Sequence, residues 1–213
     1  MAYLEKGIEG DVCREIPIFS IRYSEVFSLR NLYVTMHELL MEEGWLGFEG
    51  NEDGLLTHSD IETLYSESTY QKGIHKGGKE YWVWWRAKKH HERGSAYFLN
   101  TLDLDWHIVS LQEREIVHQG KKMNTQWGEI EMLFKAKIIS DIGHSWEKHS
   151  LLKHFKHIYE NRIMLSHVEK REKDLWRDVY RIQSKVKSYL KLRTWMPTPE
   201  LFHPAQYGFE GEF

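Results

Sequence analysis

Cysteine is almost absent from this chain, since Cys13 is the single cysteine among 213 residues. A lone cysteine excludes an internal disulfide and any metal site built on several thiolates. The first residues, MAYLEKGIEGDVCREIPIF, are acidic and contain no apolar segment of the kind found in a secretory signal. Because free thiols fit a reducing compartment, we expect a cytoplasmic protein, or part of a particle assembled in the cytoplasm.

Long apolar runs and catalytic signatures are also lacking. No run approaches the roughly 18 to 20 residues of a membrane-spanning helix, so we expect no membrane span. The sequence has no G-x-S-x-G nucleophile motif, and the KGGK segment at 76–79 is too short for a phosphate-binding loop. These absences predict a protein that is not an enzyme and binds no cofactor.

Histidine, by contrast, occurs thirteen times. His154 and His157 are three residues apart in a helix-prone segment, so they share a helix face and could hold a metal. Two histidines do not complete a site, and a solvated helix face has the same pattern. The sequence therefore assigns no metal site and leaves open whether this pair binds metal.

Tryptophan is abundant, and three of the nine stand within the segment KEYWVWWRAKKH at 79–90. In a strand, alternation places Trp85 on one face and Trp82 and Trp84 on the other. We predict that the face of Trp85 belongs to the core. Trp82 and Trp84 are then covered by another element, exposed at an interface, or in contact with a ligand or nucleic acid.

Hydrophobic periodicity predicts an α+β fold. Residues 15–28 are predicted to form a strand, Ser28 to cap the helix that follows, and Gly44 to end that helix. Between residues 61 and 142, β-prone segments are separated by turns, and three long segments alternate between apolar and polar side chains, as the strands of a twisted antiparallel sheet do. We expect about five to seven strands, one packed N-terminal helix and a long C-terminal helical arm.

The helical arm at 146–195 contains neither Gly nor Pro and is predicted to be one long helix, or two helices bent near Ser166. Apolar residues recur in it at helical spacing. The first stripe consists of Leu152, Phe155, Tyr159 and Ile163. The second consists of Val168, Leu175, Val179, Ile182, Val186 and Tyr189.

Polar side chains also alternate along the predicted strands. Asp103, Asp105 and His107 share one strand face, where they could perform acid–base chemistry or bind a cation. The same pattern is typical of the solvent face of an amphipathic strand. Lys135 and Lys137 are expected to be their cross-strand partners.

Charge divides the chain unevenly. Between Trp146 and Trp195, thirteen basic residues stand against six acidic ones, whereas the rest of the chain holds 16 basic and 26 acidic residues. We divide the chain into an acidic body at 1–143, a basic helical region at 144–196 packed on it, and an extended tail at 197–213 that is rich in proline and aromatic residues.

This division favours a structural protein that self-associates into an oligomer, filament or particle. The basic helix of one copy would dock on the acidic body of another, and the tail would pack on a neighbour. The interface candidates are Trp82, Trp84, Arg177, Arg181, Lys185, Phe202, Tyr207, Phe209 and Phe213.

Two other partners follow from the same residues. A hydrophobic small molecule could bind between sheet and helix, with Trp106 and Trp127 as candidate cavity-lining residues beside Trp82 and Trp84. Nucleic acid could contact the basic helix, but an acidic body would repel it, so this partner is not favoured.

Four segments carry a resemblance to known proteins: YWVWWRAKK, LDLDWHIVSL, QGKKMNTQWGEIEMLFKAKI and WEKHSLLKHFKHIYENRI. Through them, the stretch from about Lys79 to Leu192 resembles an uncharacterised family of small α+β proteins found in archaea with small genomes. That family implies no activity for this chain. The order of strand, helix, meander and long helix is also similar in topology to the START-like helix-grip domains, which bind ligands.

Overall fold

The computed structural model describes residues 10–47, 61–72, 75–90, 97–118 and 121–192. The predicted tail at 197–213 lies outside the described residues, and with it the candidates Phe202, Tyr207, Phe209 and Phe213. Six antiparallel strands and four α-helices form the described part of the chain. This composition confirms the α+β class expected from the sequence.

The sheet places the first strands of the chain beside the last one. Its strands are β1 (Asp11–Glu15), β2 (Phe19–Phe27), β3 (Glu62–Lys72), β4 (His75–Lys89), β5 (Phe98–His118) and β6 (Lys121–Ser140). Their order is β1-β6-β5-β4-β3, and β2 also pairs with β6. Strand β3 therefore lies at the edge farthest from β1 and β2.

Helix α1 (Leu29–Glu42) begins and ends as the sequence predicts. Ser28 has an extended backbone, and its hydroxyl accepts a hydrogen bond from the N–H of Asn31, which is the role of an N-cap. Gly44 follows the helix with a φ of 79°, a left-handed conformation that glycine adopts without a steric penalty.

One face of the sheet, the inner face, forms the core together with α1 and α4 (Leu165–Tyr189). Trp85 points into this core and is 1% exposed, whereas Trp82 on the opposite, outer face is 39% exposed. The second predicted stripe belongs to the same core. Its buried members on α4 are Val168, Leu175, Val179, Ile182 and Val186.

The helical region is interrupted more often than the sequence predicts. It consists of a 3-10 turn (Ile142–His144), α2 (Ser145–Lys148), α3 (Leu152–Ile158), a π-helical turn (Tyr159–Ile163) and α4. The break before α4 falls at Met164, close to the expected bend at Ser166. A single uninterrupted helix is therefore wrong. The reason is local, because the π-helical turn replaces the regular i to i+4 hydrogen bonds just before that break.

Candidate functional site

The outer face of the sheet carries a network of ion pairs. Asp105 on β5 lies between two cations, with its Oδ1 2.7 Å from Nη1 of Arg86 and its Oδ2 2.8 Å from Nζ of Lys135. Asp103 lies 3.9 Å from Nζ of Lys137. The structure thus confirms the expected cross-strand pairing. Because these charges neutralise one another, this network offers little attraction to a phosphate backbone.

Trp82 is held in place on this face by its neighbours. Its ring stacks on the imidazole of His107, with ring centroids 3.7 Å apart and planes inclined by 16°. Nε2 of His107 lies 2.8 Å from Oε1 of Glu80, and this hydrogen bond lowers the pKa of the Glu80 carboxyl. Trp82 is therefore an exposed aromatic ring in a fixed orientation, which suits a contact surface.

The other candidate tryptophans occupy three different environments. Trp84 is half-buried and pairs across the strands with Leu64 of β3. Trp127 on β6 is 38% exposed. Trp106 is 0% exposed and lies with its ring 4.9 Å from that of Trp85. The structure places Trp106 in the packed core.

An open cleft of about 530 Å³ lies between the two long hairpins of the sheet. Its lining consists of Thr69, Gly77, Gly78, Lys79, Tyr81, Leu111, Gln112, Glu113 and Gln126. Gly78 is required here, because a Cβ atom would lie 2.3 Å from the carbonyl carbon of Ser110. Five of these nine residues have polar side chains, and Tyr81 and Leu111 add aromatic and apolar surface.

The basic residues predicted as contacts line the solvent face of α4 at helical spacing. Arg177, Arg181 and Lys185 are all exposed. Nη1 of Arg177 lies 3.2 Å from Oδ1 of Asp174, and Nη1 of Arg181 lies 2.6 Å from Oε2 of Glu43. Both arginines therefore already have carboxylate partners within the same chain, which weakens their attraction for a second molecule.

Four exposed apolar side chains between residues 151 and 163 form a surface that we call the apolar stripe. Its members are Leu151, Phe155, Ile158 and Ile163, which are 67%, 57%, 44% and 64% exposed. The first three are spaced by four and three residues and lie on one helix face. No residue of α2, α3 or the π-helical turn is buried. Of the first predicted stripe, Phe155 and Ile163 are exposed, whereas Leu152 and Tyr159 are half-buried.

The opposite side of this helical segment is fastened to the body. Nζ of Lys156 donates a hydrogen bond to Oδ2 of Asp11 on β1 and lies 2.9 Å from Oδ2 of Asp141, which follows β6. The hydroxyl of Tyr97 donates a hydrogen bond of 2.7 Å to Glu160. These contacts hold Lys156 and Glu160 against the body. The apolar stripe, on the other side of the helix, therefore faces the solvent.

Asp141 is the central anchor of this arrangement. Its side chain is fully buried. Burial alone would raise the pKa of its carboxyl, but hydrogen bonds from the Trp146 N–H, the Lys156 ammonium, the Glu147 N–H and the Ser145 hydroxyl lower that pKa to about 2. Asp141 therefore stays ionised at neutral pH and caps the first turn of α2.

One cluster near this anchor has metal-binding residue types. Ligand atoms of Asp11, His144 and Glu147 lie within 4.8 Å of one another. The ammonium of Lys156 already supplies positive charge to Asp11. His154 and His157 are both exposed and do not belong to the cluster. His144 and Glu147 are three residues apart, but Asp11 lies on the distant strand β1, so the spacing in the sequence could not have indicated the complete cluster.

Comparisons with known proteins do not place this chain in a family. No protein-family model, curated protein or solved structure matches it. The resemblances to the archaeal family and to helix-grip domains therefore stay predictions. Within the described residues, no helix has both the length and the apolar character that crossing a membrane requires.

Proposed function

We propose that this chain is a non-enzymatic structural protein that self-associates, and that the apolar stripe is a contact between copies. The exposure of the stripe carries the proposal. Single exposed apolar residues are ordinary on a protein surface, but several on one helix face mark an interaction site. Full burial of such side chains is worth about 1.5 to 3 kcal/mol each, so their solvent exposure leaves a large free energy available for association.

The anchoring of α3 supports the same proposal. An amphipathic helix normally turns its apolar side to the core, whereas this segment directs Lys156 and Glu160 towards the body. Its partners there are polar groups that orient it firmly. A surface that is held in one orientation loses less conformational entropy on binding than a mobile one. The stripe is therefore suited to a specific contact.

The basic face of α4 and the tail at 197–213 remain predicted contributors to assembly. Surface attractions between charges are screened over about 10 Å at 0.1 M salt, so a contribution from α4 would weaken as salt rises. Burial of apolar side chains on the stripe would not weaken in this way. Salt thus separates the two contributions, and deletion of 197–213 tests the tail.

The proposal is tested by light scattering coupled to size exclusion, over a range of concentrations at low and high salt. We expect the full-length chain to exceed its monomer mass of 25.6 kDa. We expect Phe155→Glu with Ile158→Glu to elute as a monomer with unchanged helix content, because charges on the stripe oppose its burial.

Val34→Glu is the matched control, since Val34 is a 46% exposed apolar residue on the solvent side of α1. This variant should assemble like the wild type. A wild-type protein that stays at the monomer mass at every concentration and salt would overturn the proposed function.

A further inference from the structure

The apolar stripe is unsuited to pairing with itself, because its surroundings are basic. Residues 151–163 hold three basic residues, Lys153, Lys156 and Arg162, and one acidic residue, Glu160. Glu160 accepts a hydrogen bond from the hydroxyl of Tyr97, while Lys153 and Arg162 are exposed. A two-fold contact would bring these like charges together across the interface, which costs free energy. The stripe therefore needs a partner surface of a different kind.

The edge strand β3 provides such a surface on the same molecule. Every residue from 62 to 69 is exposed, although this segment pairs with β4. It includes two apolar side chains, Leu64 at 37% and Tyr65 at 51% exposure. It also carries Glu62 and Glu67 and no basic residue. Apolar surface flanked by carboxylates complements an apolar helix face flanked by lysine and arginine.

Neighbouring groups of β4 complete this surface. Trp82, fixed by its stack on His107, is exposed beside β3 on the outer face. Of the two glutamates on β3, Glu67 forms an ion pair with Lys79 at 2.8 Å. Glu62 forms no ion pair with a lysine or arginine among the described residues.

Leu64 pairs with Trp84 and lies on the outer face with Trp82, whereas Tyr65 pairs with the buried Val83 and lies on the inner face. We call the set of Leu64, Tyr65 and Trp82, which follows the open edge on both faces of the sheet, the edge surface.

The backbone of β3 also favours an occupant. Within the described part of the chain, no strand pairs with the outer side of β3, whose N–H and C=O groups on that side form an open edge. Proteins commonly cover such edges with a helix or a loop, because an open edge invites uncontrolled pairing. A short helix with basic side chains can donate hydrogen bonds to the open carbonyl groups while its apolar side covers Leu64.

The two surfaces lie at opposite sides of the fold. The stripe is anchored through Asp11 of β1 and Asp141 after β6, whereas β3 ends the strand order on the other side. A molecule therefore cannot readily use its own stripe to cover its own edge. Complementary surfaces on opposite sides produce heterologous contacts, which form rings if they close and filaments if they do not.

We infer that the apolar stripe of one copy docks on the edge surface of a second copy, so that molecules add head to tail. This inference rests on the proposed self-association and names the two surfaces that make the contact. Each molecule then contributes one stripe and one edge, and growth continues until a ring closes or the chain ends.

The test uses two full-length variants, each defective on one surface. The stripe variant is Phe155→Glu with Ile158→Glu, and the edge variant is Leu64→Lys with Tyr65→Lys. Val117→Lys is the strand control, because Val117 is a 69% exposed apolar residue of β5 away from both surfaces. Masses are measured by light scattering for each variant alone and for an equimolar mixture.

Each variant alone should remain at 25.6 kDa, while the strand control assembles like the wild type. The mixture should form a dimer of about twice that mass and nothing larger, because one intact stripe meets one intact edge. An edge variant that assembles like the wild type, beside a monomeric stripe variant, would overturn the inference and leave self-association standing. A wild-type monomer would remove the proposed function itself.

A second measurement does not depend on substitutions in β3. Hydrogen exchange of wild-type backbone amides at 62–69 is compared at concentrations below and above assembly. Docking should slow the exchange of these amides at least tenfold when the protein assembles. Unchanged exchange in an assembled sample would contradict the assignment of β3 as the partner surface.

Discussion

Helices α3 and α4 follow one another in the chain and both combine apolar residues with several basic ones, yet the fold uses them differently. Helix α4 buries six side chains, whereas α3 buries none. Helix α4 spans 25 residues and lies across the sheet; α3 has seven and is fastened through Lys156. The spacing of apolar residues thus shows which side of a helix is apolar, and the position of the helix in the fold decides whether that side is buried in the core.

The largest difference between the two helices should appear in the unfolding free energy when one apolar side chain of each is truncated. Leu175 is 1% exposed, so Leu175→Ala should lower the free energy of unfolding by about 2 to 5 kcal/mol. Phe155→Ala should change it by no more than about 0.5 kcal/mol, as exposed positions usually do. Urea denaturation measures both, at concentrations that keep the protein monomeric, because association itself stabilises.

Equal losses of unfolding free energy in Leu175→Ala and Phe155→Ala would contradict the difference between the two helices. They would mean that the side chain of Phe155 contributes to the stability of the monomer as much as the core residue does. In that case the apolar stripe would be part of the folded unit and no longer a candidate contact surface.

Lowering the pH should destabilise the anchor of α3 by less than the truncation of Leu175 destabilises the core. The folded state lowers the pKa of Asp141 from 3.8 to about 2, so the folded state binds fewer protons than the unfolded state in this range. The stabilisation, roughly 2 kcal/mol, is complete above about pH 4 and is lost as the pH falls through about 2. Urea denaturation as a function of pH measures it.

Asp141→Asn is the matched variant for this titration. It should lose a similar free energy at neutral pH and have a flatter dependence of stability on pH between about 4 and 2. Amides of residues 145–163 should also exchange faster in this variant. An unaltered pH dependence would show that the carboxyl of Asp141 is not the group that titrates.

Features of the fold that depend on local chemistry could be predicted from the sequence. The cap at Ser28 and the stop at Gly44 follow from the side chain and backbone of single residues. The separation of Trp85 from Trp82 and Trp84 follows from the two-residue period of a strand. The buried stripe of α4 follows in the same way from the helical period.

Features that depend on register and strand order could not be predicted. The stack of Trp82 on His107 requires that β4 and β5 pair in one register. The edge position of β3 requires the complete strand order. The exposure of Phe155 depends on the contact of Lys156 with Asp141, which lies fifteen residues away. Periodicity contains none of this information, since it describes one element at a time.

The smallest effect expected is at the solvent face of α4, where Arg181 pairs with Glu43 on the surface. Exposed ion pairs contribute about 0.2 to 1 kcal/mol, and Arg181 is 54% exposed, so the coupling should fall at the low end. A double-mutant cycle with Arg181→Ala and Glu43→Ala measures it. A coupling well above about 1 kcal/mol would show that Arg181 helps to hold α4 on α1, which would exclude it as a contact available to a second copy.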